Sequence, residues 1–71
     1  MEVIFSRHAK RQMKWRDISE EEVKLTLTGF DKIEDSIKGR KNAYKQFPAR
    51  LIKVTFIEEA GKIIVITAMV R

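Results

Sequence analysis

The sequence predicts an α+β domain in which two N-terminal helices pack on one face of a twisted antiparallel four-stranded sheet, in the order α-α-β-β-β-β. Three observations carry this. Two helix starts stand close together, at Ser6 and Ser19. After Gly29 the apolar periodicity changes from helical to alternating. The last third of the chain holds two long β-type runs, Leu51 to Glu58 and Lys62 to Val70, around a Glu59-Ala60-Gly61 loop.

Met1 to Phe5 reads as a brief edge strand or a lead-in to the first helix. Ser6 caps a helix through about Trp15, whose thin apolar side is Phe5, Ala9 and Met13. The tight turn Arg16-Asp17-Ile18 leads to the second start. There Ser19 and Glu22 have the spacing of a capping box, and Ile18 and Val23 that of a hydrophobic staple. Glu20, Glu21 and Glu22 set negative charge against the positive end of the helix dipole. This helix buries Val23 and Leu27 and ends at Gly29, the expected left-handed cap, with Phe30 packing back on its last turn.

Alternation then places Ile33, Asp35 and Ile37 on one side of a strand and Lys32, Glu34 and Ser36 on the other. Lys38-Gly39-Arg40-Lys41 reads as a cationic turn, with Gly39 at positive φ. Asn42 to Phe47 is a weaker strand with Asn42, Tyr44 and Gln46 on one face, and Pro48 ends it. The expected helix-facing layer is Ile52, Val54, Phe56, Ile64, Ile66, Ala68 and Val70. Lys53, Thr55, Thr67 and Arg71, joined by Tyr44, fall on the opposite, open face.

The chain has 71 residues, a single small domain spanning 1–71. Such a chain buries only ~60% of its unfolded surface, so a homodimer or a bound partner would add stability. With no cysteine and one histidine it offers neither a disulfide framework nor a metal site, and no cofactor is expected. No apolar run reaches the ~18 residues of a membrane span and no signal-peptide pattern opens the sequence, so a cytoplasmic protein without a membrane partner is expected. Glycine-rich phosphate loops and nucleophile motifs are absent.

A net charge of +5 points to an acidic partner such as nucleic acid. Arg7, Lys10, Arg11 and Lys14 recur at i, i+3, i+4 and i+7, one basic stripe on the first helix with no acid between them. Like charges at this spacing repel, which favours a phosphate-facing role over a merely solvated face.

Ser-x-His-Ala-x-x-Arg-x-Met at Ser6 to Met13 and Ile-Ser-Glu-Glu-Glu-Val at Ile18 to Val23 resemble the domain-of-unknown-function family numbered 4258. Leu-x-Lys-Val at Leu51 to Val54 and Ile-Val-Ile-Thr at Ile64 to Thr67 fit the same pattern. The order of elements is similar to BrnT-type toxins and, more loosely, to RelE and ParE. The resemblance implies a RelE-like fold and a small ribonuclease toxin or a relative that has lost activity. It also implies RNA, free or ribosome-associated, as target and a cognate antitoxin protein as partner. Fold does not fix function within this group, since ParE-like members act on gyrase.

A metal-independent ribonuclease must deprotonate a ribose 2′-hydroxyl, stabilise a phosphorane and protonate the leaving oxygen. Each proton transfer contributes ~10²–10⁴-fold. Histidine suits both acid and base work at neutral pH. His8 is therefore the candidate acid or base, with a surface or packing role as the competing reading, and Arg11 is the candidate phosphate ligand beside it. Tyr44 is a second proton donor or stacking platform, with packing as the competing reading. Lys53, Arg50 and Arg71 form the candidate phosphate clamp, and Arg7, Lys10, Lys14 and Arg40 extend the nucleic-acid surface. Trp15 follows the stripe, where packing against Ile18 competes with stacking on a base. A non-catalytic module binding nucleic acid or protein through the same cationic face is the alternative function.

Overall fold

The computed structural model describes residues 2–71. Met1, where the expected lead-in begins, lies outside the described residues. The elements are β1 (Glu2–Phe5), α1 (Arg7–Arg16), α2 (Glu20–Thr28), β2 (Lys32–Asp35), a 3-10 turn at Ile37–Gly39, β3 (Lys41–Gln46), β4 (Leu51–Glu59) and β5 (Lys62–Val70).

Both helix starts form as their caps dictate. The Ser6 hydroxyl accepts the Ala9 N–H at 3.0 Å and donates to the Ile66 carbonyl, so the cap also ties α1 to the sheet. At Ser19 the capping box closes in both directions, with Glu22 N–H donating to the Ser19 hydroxyl and Ser19 N–H to the Glu22 carboxylate. The left-handed helix end stands at α1 and not at α2. Asp17 has φ 56°, and its N–H and that of Ile18 close on the Lys14 and Met13 carbonyls. Aspartate tolerates this conformation better than most L-residues. Gly29 leaves α2 at φ −139°, outside the left-handed region, and Phe30 is 42% exposed and lines a cleft with Leu27 and Thr28 of the last turn.

The sheet has five strands in the order β1-β5-β4-β3-β2, one more than the pattern of the sequence predicts, and it is mixed. The brief lead-in is a true strand, paired parallel to β5 with Val3 opposite Ile63 and Phe5 opposite Val65. A parallel partner needs a crossover, here the entire chain between β1 and β5, so no local pattern could announce it. The strand after α2 stops at Asp35. Lys38 (φ 57°) and Gly39 (φ 73°) curl the chain back, and Ile37 is left exposed in the turn.

Both helices lie on one face, α1 over β5 and α2 over β4 and β3. The core between them and the sheet joins Ala9, Met13, Ile18, Val23 and Leu27 to Ala43, Ile52, Val54, Phe56, Val65 and Ala68. The expected layer holds for Ile52, Val54, Phe56 and Ala68 and fails at Ile64, Ile66 and Val70, the last left exposed at the end of β5. Thr55 pairs with Thr67 but Phe56 pairs with Val65, so Ile66 is the extra residue of a β-bulge. One extra residue reverses the parity of everything before it on the strand. Val65 and Ile63 therefore turn to the core.

Candidate nucleic-acid interface

Among the described residues no helix covers the other face of the sheet, and alternation sends every second side chain of β2, β3 and β4 onto it. Register places Lys32 opposite Tyr44, Glu34 opposite Asn42, Tyr44 opposite Lys53 and Asn42 opposite Thr55. The result is a polar patch on a rigid floor. The Tyr44 hydroxyl donates to Glu34 Oε1 at 2.5 Å, and buried Thr55 donates to Asn42 Oδ1 at 2.7 Å. Cations surround the tyrosine: Lys32 Nζ and the Arg71 guanidinium lie 5.5 and 5.9 Å from its ring centre. Arg71 is held there because its N–H continues the ladder to the Leu51 carbonyl.

The Tyr44 hydroxyl holds the Glu34 carboxyl below its ordinary range, with help from Lys32 and Lys53. The same hydrogen bond raises the Tyr44 phenol, more than Arg71 lowers it. At neutral pH the pair is therefore a carboxylate accepting from a protonated phenol, flanked by positive charge.

The basic stripe forms on α1 as spaced. Arg7, Lys10, Arg11 and Lys14 are exposed, and so is His8. Ala9 and Met13 turn to the core, so this surface looks away from the sheet. The structure accordingly gathers Tyr44, Lys53 and Arg71 in one place and His8, Arg11, Arg7, Lys10 and Lys14 in another, with the sheet and core between. Trp15 is 78% exposed and does not pack on Ile18.

Arg50 joins neither group. Its guanidinium donates to the Asp17 carbonyl at 2.7 Å, to the Arg16 carbonyl at 3.3 Å and to both oxygens of Glu22 at 2.8 and 3.0 Å. It fastens the turn between the helices to the start of β4. Arg40 sits at the end of the 3-10 turn, where its backbone closes the β2–β3 hairpin.

Glu34, Asn42 and Lys32 complete the sheet-face patch and were missing from the candidates drawn from sequence. Their parity was legible, since Lys32 and Glu34 alternate with Ile33. What could not be read was that the hairpin register brings them beside Tyr44.

The family model for the domain of unknown function DUF4258 matches residues 5–70. The chain belongs to the DUF4258 family. The match takes in both helices and reaches the end of β5, so the DUF4258 domain carries the α1 stripe and all of the sheet-face patch except Arg71. No curated protein and no solved structure matches this DUF4258 chain. Among the described residues no helix is long and apolar enough to cross a membrane, and no group of three or more acidic or histidine side chains is placed to hold a metal ion.

Proposed function

We propose that this chain is a toxin-like RNA-acting domain, RelE-like in fold, whose open sheet face cleaves RNA without a metal. A cognate antitoxin protein would neutralise it. The observation that carries this reading is the Glu34–Tyr44 pair ringed by Lys32, Lys53 and Arg71 on an uncovered sheet. The cations and the Tyr44 hydroxyl keep Glu34 ionised and ready to accept a proton beside a phosphate, and by holding its carboxyl below the ordinary range they also weaken it as a base.

In the proposed reaction Glu34 takes the proton of the ribose 2′-hydroxyl, and the 2′-oxygen attacks phosphorus. The bond to the 5′-oxygen breaks, and Lys53 gives that oxygen a proton. The products are a 2′,3′-cyclic phosphate and a 5′-hydroxyl, and solvent returns Glu34 and Lys53 to their starting states. Arg71 and Lys32 neutralise the charge that builds on the phosphorane oxygens. Tyr44 orients Glu34. Its hydroxyl and the carboxylate lie too close together to serve the two opposed oxygens of an in-line displacement, so they act as one proton-handling group.

The binding-module reading keeps one observation in its favour, the distance in the fold between His8 on α1 and the Tyr44 patch. Incubation of the purified chain with end-labelled RNA tests the choice. Cleavage to cyclic-phosphate ends, lost in Lys53→Ala and reduced in Tyr44→Phe, supports the enzyme. Binding without cleavage at any protein concentration supports the module.

A further inference from the structure

We infer that the outer flank of α1 is a second site, a stacking platform for a base of single-stranded nucleic acid centred on Trp15. It is separate from the sheet face and stands whether or not that face cleaves RNA. Tryptophan is the side chain with the most to gain from burial, and the only one in this chain is left 78% exposed. It does not stand alone. Arg11, Gln12 and Lys14 line with it a recess of about 550 Å³. The Arg16 guanidinium lies 5.6 Å from its ring centre, held by a hydrogen bond to the Ala68 carbonyl. An arginine so anchored steadies the indole and leaves ring surface for a ligand.

Three further features specify the ligand. Residues 7–16 include Arg7, Lys10, Arg11, Lys14 and Arg16 and no acid, so the flank is complementary to a polyanion. Gln12 Oε1 is buried without a hydrogen-bond partner, so its amide gains by turning toward a ligand donor such as a base N–H. The apolar side of α1 is spent on the core through Ala9 and Met13. What remains is one aromatic ring among cations, which fits base stacking beside a phosphate backbone and lacks the broad apolar face of a membrane-lying helix.

The single tryptophan makes the test direct. A short oligouridylate is titrated into the chain while Trp15 emission is followed, with heparin and anionic phospholipid vesicles in parallel. Saturable quenching by the oligonucleotide and not by heparin is expected. Affinity for labelled oligouridylate should fall roughly ten-fold in Trp15→Ala and change little in Trp15→Phe. Quenching should persist in the Lys53→Ala/Arg71→Ala double variant, which disables the sheet face. Absence of quenching, equal quenching by heparin or vesicles, unchanged affinity in Trp15→Ala, or quenching that disappears with the sheet-face variant would each overturn the site. Because Trp15 is exposed, its replacement should leave the thermal melt unchanged.

Discussion

Glu34 and Tyr44 share one short hydrogen bond, and it moves the two titrations in opposite directions. Glu34 is lowered chiefly because the Tyr44 hydroxyl donates to its charged form. Tyr44→Phe should therefore raise the Glu34 carboxyl toward its ordinary range, as read by carboxyl-carbon NMR titration, with the Lys32 and Lys53 contributions remaining. Arg50 carries a prediction of a different kind. Its truncation strips partners from two carbonyls and from Glu22, and loss of charge-assisted bonds of this type costs ~1.5–3 kcal/mol. Arg50→Ala should lower the chemical denaturation midpoint accordingly. Glu22 is depressed first by the Ser19 N–H and then by Arg50. Its contribution is thus complete above the unfolded value near 4.5 and is lost as pH falls through the lower folded value. In Arg50→Ala this acid-side loss should shrink without vanishing, because the Ser19 cap is untouched.

Among the elements, those closed by local chemistry were the legible ones. Ser19 and Glu22 announce α2 at a spacing that only a helix start exploits, and the alternation of Leu51 to Glu58 announces β4. Replacement of Ser19 by alanine should cost ~1 kcal/mol in stability, read from urea unfolding. The β4–β5 hairpin was legible in place but not in detail. Its two-residue loop puts Ala60 at φ 52° and Gly61 at φ 76°. An L-residue with a Cβ pays ~1–2 kcal/mol for the left-handed region, so Ala60→Gly should stabilise the chain, by ~0.5–1 kcal/mol after the entropy of the unfolded glycine is set against it. The bulge at Ile66 was illegible because Ile63 to Val70 is apolar at nearly every position, and a run without polar marks records no parity. The edge-strand reading of β1 holds, but its place in the sheet escaped for the opposite reason: it is too short for its own pattern to decide, and its parallel partner lies at the far end of the chain.

For the whole molecule, the sheet separates two cationic surfaces from which the sequence reading draws a single candidate site. His8 and Arg11 stay with the α1 stripe, while Tyr44, Lys53 and Arg71 assemble with Glu34 on the far side. Sequence reasoning names cations well, because charge needs no partner to be visible. It assigns them to sites poorly, because that depends on register and on which guanidinium is already engaged, as Arg50 is. RNA binding should weaken with salt, and the slope of log affinity against log salt should fall by about one for each phosphate-contacting cation removed. Lys53→Ala and Arg71→Ala should each reduce that slope.

The most direct test of the sheet-face account is cleavage of end-labelled RNA by the purified chain beside Glu34→Gln and His8→Ala, each checked for an unchanged melt. Glutamine keeps the shape of Glu34 and removes the base. The account predicts that cyclic-phosphate products disappear in Glu34→Gln and persist in His8→Ala. Cleavage that survives Glu34→Gln and is lost in His8→Ala would contradict it and move the chemistry to α1.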